Sequence, residues 1–422
     1  MKNRKIRRVY DGFHPREGIP LNNYGNLIVM PGMIDAHVHI NEPGRREWEG
    51  FDSATRAAAL GGVTTLIEMP LNAHPVTTTV EALRQKQHAA RDKLHVNCGF
   101  YGGIVPGNAA HIEPLIRAGV FGIKGFLIHS GLDEFPKIEK KHLTEIAPLL
   151  AEHGVPLLLH CELSHAPTFH PENVRSYREY LQSRPAEWEL AAVELAVQIQ
   201  EKYGLKVHIV HLSGASALKT IAERKARTDL LSVETCPHYL YFQAETIPDG
   251  EPVYKCAPPI REKSNNDRLW EALRAHQIDF IASDHSPAPP ELKQLSRGDL
   301  FRAWGGIAGL QFSLPAVWSR CAAMGLRPDV LIPLFTENPA RFLNLHRSKG
   351  KLEAGFDADI TVWDENEEFE VTEGLVAHRH KITPYLGCRL KGKVLHTFVG
   401  GRQVVADGEI TELNAGRLLV RN

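Results

Sequence analysis

The chain has 422 residues, 43% of them hydrophobic and 23% charged, with a formal net charge of −1. That length suits one large barrel, alone or with a smaller appendage, and the balanced charge disfavours nucleic acid, whose phosphates call for a basic stripe. No run approaches the ~20 apolar residues of a membrane span, the basic opening MKNRKIRRVYDGFHP lacks a signal peptide's apolar centre, and six cysteines without paired spacing read as reduced thiols, so a cytoplasmic protein is expected.

The first 30 residues are short and end in the extended run LIVMPG. From there, short apolar runs alternate with helical patterns. The runs are MIDAHVHI (33–40), VTTLIEMP (63–70), LHVNCGFY (94–101), VFGIKGFLI (120–128), VPLLLH (155–160), KVHIVHL (206–212), LLSVETC (230–236) and IDFIASD (278–284). Between them lie FDSATRAAAL, VEALRQKQHAARD and PAEWELAAVELAVQIQEKY. In the last of these Leu190, Val193, Leu195, Ala196 and Ile199 recur at helical spacing. Eight strand–connection units predict an α/β chain folded as a (β/α)8 barrel over 31–345. Beyond 345, KGKLEAGFDADITVWD and KGKVLHTFVGGRQVVADGEI read as short strands broken by Gly and Asp. A small β domain built from both chain ends, 1–30 and 346–422, is expected.

Alternate strand residues share a face and advance ~3.3 Å each, so His37 and His39 point the same way with Cα atoms roughly 6.6 Å apart. They could converge on one metal at ~2.0–2.1 Å per bond, or be two ordinary strand histidines. His160, His211 and Asp284 also fall at strand ends, and the carboxyl rim of a barrel carries its active site. Taken singly, each also reads as a satisfied strand-end residue. His208, three residues before His211, is sent by alternation to the other face and reads as structural. His238 also leans to packing, and His285 to packing or support of Asp284. Lys124 has no carboxylate in its run: it either snorkels to the rim or, if buried, loses its charge. A neutral amine can add CO2 to give a carbamate able to bridge two metals; on the residues alone the rim lysine is the simpler reading. YGGIVPG and WGGIAG lack the spacing of a phosphate cradle, and no G-x-S-x-G elbow appears.

In that order, His37-x-His39, Lys124, His160, His211 and Asp284 resemble the binuclear-metal amidohydrolases that open cyclic amides: dihydroorotases, hydantoinases or dihydropyrimidinases, and allantoinases. The resemblance runs from about Ile28 to the C-terminus and includes PGMIDAHVH, ETCPHYL, SDHSP, TENPARF and GFDADITVWD. It implies two divalent metals, zinc first, with cobalt, manganese, nickel or iron as alternatives. His37 and His39 would hold one and His160 and His211 the other. Lys124, carboxylated by CO2, would bridge them, and Asp284 would serve as ligand and proton shuttle for a metal-activated hydroxide.

Within the family, the substrate-carboxylate Arg and His of dihydroorotases are replaced by Asn41 and Ala288, and the Tyr of hydantoinases by His129. HVHINEPGRREWEGF, MPLNAHPVTT and HSGLDEFP resemble allantoinases, which implies hydrolysis of a neutral cyclic ureide, allantoin to allantoate. A hydantoinase-type imide hydrolase is the nearest alternative, with dihydroorotase and a non-catalytic scaffold behind it. Asn72 and Ser286, with the backbone of 304–309, are the expected substrate contacts, although Asn72 beside Pro70 also reads as a turn residue. No arginine is expected to face the substrate. The resemblance further implies a homo-oligomer, commonly a tetramer, and a small β-sandwich domain shortened on its N-terminal side.

Overall fold

Runs that are apolar throughout, rather than alternating, suit strands buried on both faces, as in a parallel sheet covered by helices. The computed structural model describes residues 4–12, 18, 20–164 and 169–421 and places such strands in the expected order. After β1 (Ile28–Pro31) come β2 (Met33–Val38), β3 (Val63–Glu68), β4 (Asn97–Phe100), β5 (Gly102–Gly103), β6 (Ile123–Phe126), β7 (Leu157–His160), β8 (Val207–Ile209), β9 (Leu231–Thr235) and β10 (Phe280–Ile281). β2 to β4 pair in one parallel sheet and β5 to β10 in another. Only Tyr101 separates β4 from β5, so these two are one stave of the wall. Closure falls between β10 and β2. Val38 pairs in parallel with His285, the His39 amide donates to the His285 carbonyl at 2.8 Å, and both oxygens of Asp35 accept from the Ser283 amide at 3.2 Å. The result is an eight-stave α/β barrel.

Helices Phe51–Leu60, Val80–Ala89 and Ala186–Tyr203 follow the helical patterns closely. Thr79 caps the second by accepting from the Ala82 amide, and Gly204, at φ 63°, ends the third in the left-handed region that glycine takes without strain. One apolar cluster packs the helices on the barrel. A second, with Ile67, Phe121, Leu158 and Phe280, fills its interior.

The chain ends form a separate antiparallel sheet in the order β1, β11 (Ile360–Glu370), β12 (Arg389–Val399), β13 (Arg402–Ala406), β14 (Glu409–Ile410). It is tied to the barrel by the hydroxyls of Thr361, donating to Gly62 at 2.6 Å, and Thr397, donating to Ala59 at 2.8 Å. Trp363 meets Trp318 edge to face at 5.5 Å. Gly392, at φ 96°, leaves room for this contact, since a Cβ there would sit 2.6 Å from the Trp318 ring.

Candidate functional site

The strand ends bring the expected residues together. His37 lies in β2 with His39 just after it, Lys124 in β6, and His160 at the end of β7; His211 follows β8 and Asp284 follows β10. His37, His39 and Asp284 each offer a ligating atom, all within 4.8 Å of one another. Asp284 Oδ1 lies 3.1 Å from His37 Nε2 and 3.4 Å from His39 Nε2. The His211 ring is 4.6 Å from that of His160 and 5.4 Å from that of His37. Lys124 is fully buried and its Nζ has no hydrogen-bond partner among the described residues. It sits 5.0 Å from the centre of the Phe126 ring, which stacks on His160.

The hydrogen-bond partners fix which imidazole nitrogens carry protons. His37 Nδ1 is 2.5 Å from Glu234 Oε1, and His39 Nδ1 is 2.8 Å from the Leu71 carbonyl. Both partners can only accept, so each Nδ1 donates and each Nε2 presents a lone pair. Those lone pairs face Asp284 Oδ1, another acceptor, and a cation among the three would convert repulsion into coordination. His160 Nε2 likewise donates to Glu162 at 2.7 Å, freeing its Nδ1. His211 Nδ1 is buried without a partner among the described residues. The residues therefore fit a metal centre.

Electrostatics agree with this donor set. Burial lowers the pKa of His37 and His160 and carries His211 well below its ordinary value, favouring neutral imidazoles. Burial alone would raise the Asp284 carboxyl, but the surrounding His37, His39 and His211 hold it well below the usual carboxylate range. Burial pushes the Lys124 amine down to about 8 against the pull of Glu234 and Asp284. The backbone is strained here too: His211 and Asp284 hold φ of 39° and 46°. Such conformations cost roughly 1–3 kcal/mol each and cluster at functional sites.

Two carboxylates that sequence reasoning missed orient the imidazoles. Glu234 accepts from His37, from His208 Nε2 at 3.0 Å and from the His211 amide at 3.3 Å. Glu162 binds His160 and receives the guanidinium of Arg184. Against burial, their partners hold both carboxyls down to about 2. The placement expected for His208 is corrected. It pairs in register with Leu158, two residues before His160, and so faces the barrel interior with the site residues. Alternation failed as a guide because β8 stops at Ile209 and the chain turns before His211.

The site opens into a cavity of about 410 Å³ lined by His37, His39, His160, His211, Asp284, Asn72 and Ser286, among others. Lys124 lies outside this lining. Asn72 donates from Nδ2 to Asn41 Oδ1 at 3.2 Å, and of the expected stretch 304–309 only Trp304 and Gly305 line the cavity. The expectation of no facing arginine also needs correction. Arg184 and Arg302 both line the cavity, but Arg184 is neutralised by Glu162 and Arg302 points mostly to solvent. His129 lines the mouth, its Nδ1 accepting from the Gly131 amide. Among the flanking histidines, His285 is fully buried 3.6 Å from Glu49. His238 is buried outside the lining, its ring against Tyr239.

The geometry has counterparts. The allantoinase of Arabidopsis thaliana is 44% identical over 410 residues, 93% of this chain and 81% of that protein. The allantoinase of Streptomyces avermitilis is 44% identical over 405 residues, 96% of this chain and 90% of that protein. Among solved structures, an L-hydantoinase (dihydropyrimidinase) from Arthrobacter aurescens superposes with a TM-score of 0.87 at 30% identity, covering 94% of this chain and 89% of that one. The amidohydrolase family model matches residues 28–404, taking in the barrel, all six candidate ligands and most of the small sheet. The chain therefore belongs to the amidohydrolase family.

Proposed function

We propose that this protein hydrolyses a ring C–N bond of a small neutral cyclic amide, converting allantoin to allantoate. The carrying observation is the set of three acceptors, His37 Nε2, His39 Nε2 and Asp284 Oδ1, facing one another at the base of the cavity. The likeness to allantoinases over nearly the whole chain supports the choice of ring. His37 and His39 would hold one divalent cation and His160 and His211 a second, zinc being the first candidate, with Lys124 as a carbamate formed from CO2 between them and Asp284 completing the first site. When bound, such cations lower the pKa of water from 15.7 toward ~7 and polarise a carbonyl.

The chain's own groups do the rest. Asp284, ionised and held at the cavity base, accepts the proton of the attacking water and passes it to the departing ring nitrogen. Water oxygen adds to the carbonyl carbon, the C–N bond breaks, and the products are a carboxylate and a terminal ureido group. Asn72 has its amide nitrogen engaged by Asn41, which leaves its carbonyl oxygen to accept from a ring N–H. The Gly305 peptide, with no hydrogen-bond partner among the described residues, offers a donor and an acceptor to the opposite edge, and Ser286 lines the wall between. A cavity of about 410 Å³ suits a small ring. The same resemblance supports a homotetramer, and six cysteines without paired spacing support a cytoplasmic location.

Metal removal tests the reading. Chelated protein should lose allantoin ring opening and regain it with divalent metal and bicarbonate, at close to two metals per chain. Full activity in metal-free protein would overturn it.

A further inference from the structure

Two lysines at the cavity, Lys255 in its lining and Lys293 outside it, are buried without a carboxylate partner. Lys255 and Lys293 are 9% and 3% exposed, and neither forms an ion pair among the described residues. Lys255 Nζ donates to the carbonyls of Ala303 at 2.5 Å and Phe301 at 3.2 Å. Lys293 Nζ donates to those of Gly306 at 2.8 Å, Trp304 at 3.1 Å and Lys255 at 3.2 Å. The four loop carbonyls belong to the irregular segment 301–306, five of whose residues line the cavity.

Irregular backbone at a protein interior must find partners outside any ladder. The amides of this segment find theirs at Asp299 for Phe301, Arg302 and Ala303, at Leu292 for Trp304, and at Lys255 for Gly306. The two amino groups take up four of the carbonyls, those of Phe301, Ala303, Trp304 and Gly306. The Arg302 carbonyl is left over, and Gly305 has both its N–H and its C=O without a partner among the described residues; its Cα packs over the Lys255 stem, where a Cβ would meet Lys255 Cε at 3.9 Å. Gly306 lies hard against Ser286, where a Cβ would come within 2.5 Å of the Ser286 carbonyl oxygen. A shift of this loop therefore moves both Gly305 and the surroundings of Ser286. Packing alone does not explain two buried amines, because a methionine would fill the same space without the desolvation that pushes each of them down to about 7.

We propose that Lys255 and Lys293 are paired positioning residues for substrate binding: by holding the carbonyls of 301–306 they fix the Gly305 peptide and Trp304 as a rigid cavity wall that receives the edge of a neutral cyclic ureide. The substrate half of this statement rests on the ring-opening reading; the pinning of the loop does not.

The test uses the metal-replete full chain with Lys255→Met and Lys293→Met. In both variants hydrogen exchange at the Trp304 and Gly306 amides should quicken by about tenfold or more, while the His39 amide, bonded across the barrel seam, stays protected. KM for allantoin should rise by roughly tenfold with kcat within about threefold and metal content unchanged. Should one variant fail to fold, the other carries both readouts, since each lysine holds its own carbonyls of the same loop. Unchanged exchange at Trp304 and Gly306 would overturn the pinning. Faster exchange with KM unaltered, or a fall in kcat alone, would overturn the role in substrate binding. Wild-type protein inert toward allantoin, with exchange responding as described, would fault the choice of substrate and uphold the pinning.

Discussion

Glu234 is the residue on which most of the centre's geometry converges. One buried carboxylate receives His37 Nδ1, His208 Nε2 and the His211 amide, so it sets the tautomer of one candidate ligand and the backbone position of another. Groups of this kind are worth ~10–100-fold in metal affinity. Glu234→Gln should accordingly weaken metal retention by about that factor in a chelator competition. Asp284→Asn should behave in the opposite sense, keeping its metal while turnover drops ~10²–10⁴-fold; near-normal turnover would remove its proton-transfer role. The H-x-H pair and the strand-end positions of His160, His211 and Asp284 were readable because strand alternation and the barrel rim are local rules, whereas Lys124, the second residue of β6, owed its expected role to the family resemblance alone. Glu234 and Glu162 were passed over, though each left a trace. Glu234 is a charge inside the apolar run LLSVETC, and Glu162 lies two residues past His160.

At the scale of elements, continuous apolar runs marked the barrel strands and helical spacing marked Phe51–Leu60 and Ala186–Tyr203. The loops were not legible, because 299–306 has no periodicity and its conformation depends on lysines before and within the neighbouring loops. The segment between β11 and β12 is a further case. It carries His378 into a fully buried position beside His285, with neither ring nitrogen partnered among the described residues. Burial, with repulsion from His285, pushes the His378 pKa down to about 4. The unfolded chain begins to take up this proton near pH ~6.5, whereas the folded chain resists until about 4, so stability should fall as pH drops through that window. The contribution is about 3 kcal/mol when complete. Denaturant titrations from pH 7 to 4 should show the decline, and His378→Phe should remove one proton's share of it, the rest belonging to His37, His160, His211 and His238, which burial also lowers. An equal acid slope in the two proteins would refute the assignment.

For the molecule as a whole, the barrel and the five-stranded sheet form one supporting frame. β1 runs directly into β2, so the sheet's edge strand and the stave carrying His37 are continuous. The sheet's hydroxyl contacts to Gly62 and Ala59 brace the turn between the first helix and β3. The eight-stave wall was legible from the count and order of apolar runs; the way the terminal sheet docks was not, because it depends on contacts between residues some 300 positions apart. A barrel of this kind hosts many chemistries, so the choice of ring rests on the cavity rather than the frame. The most direct measurement is kcat/KM of the metal-replete protein for allantoin, hydantoin and dihydrouracil, scored by ring opening. Allantoin should be preferred by about tenfold or more, the scale of one well-placed polar contact. Equal or greater turnover of hydantoin or dihydrouracil would contradict the account, as would no ring opening at all with both metals bound.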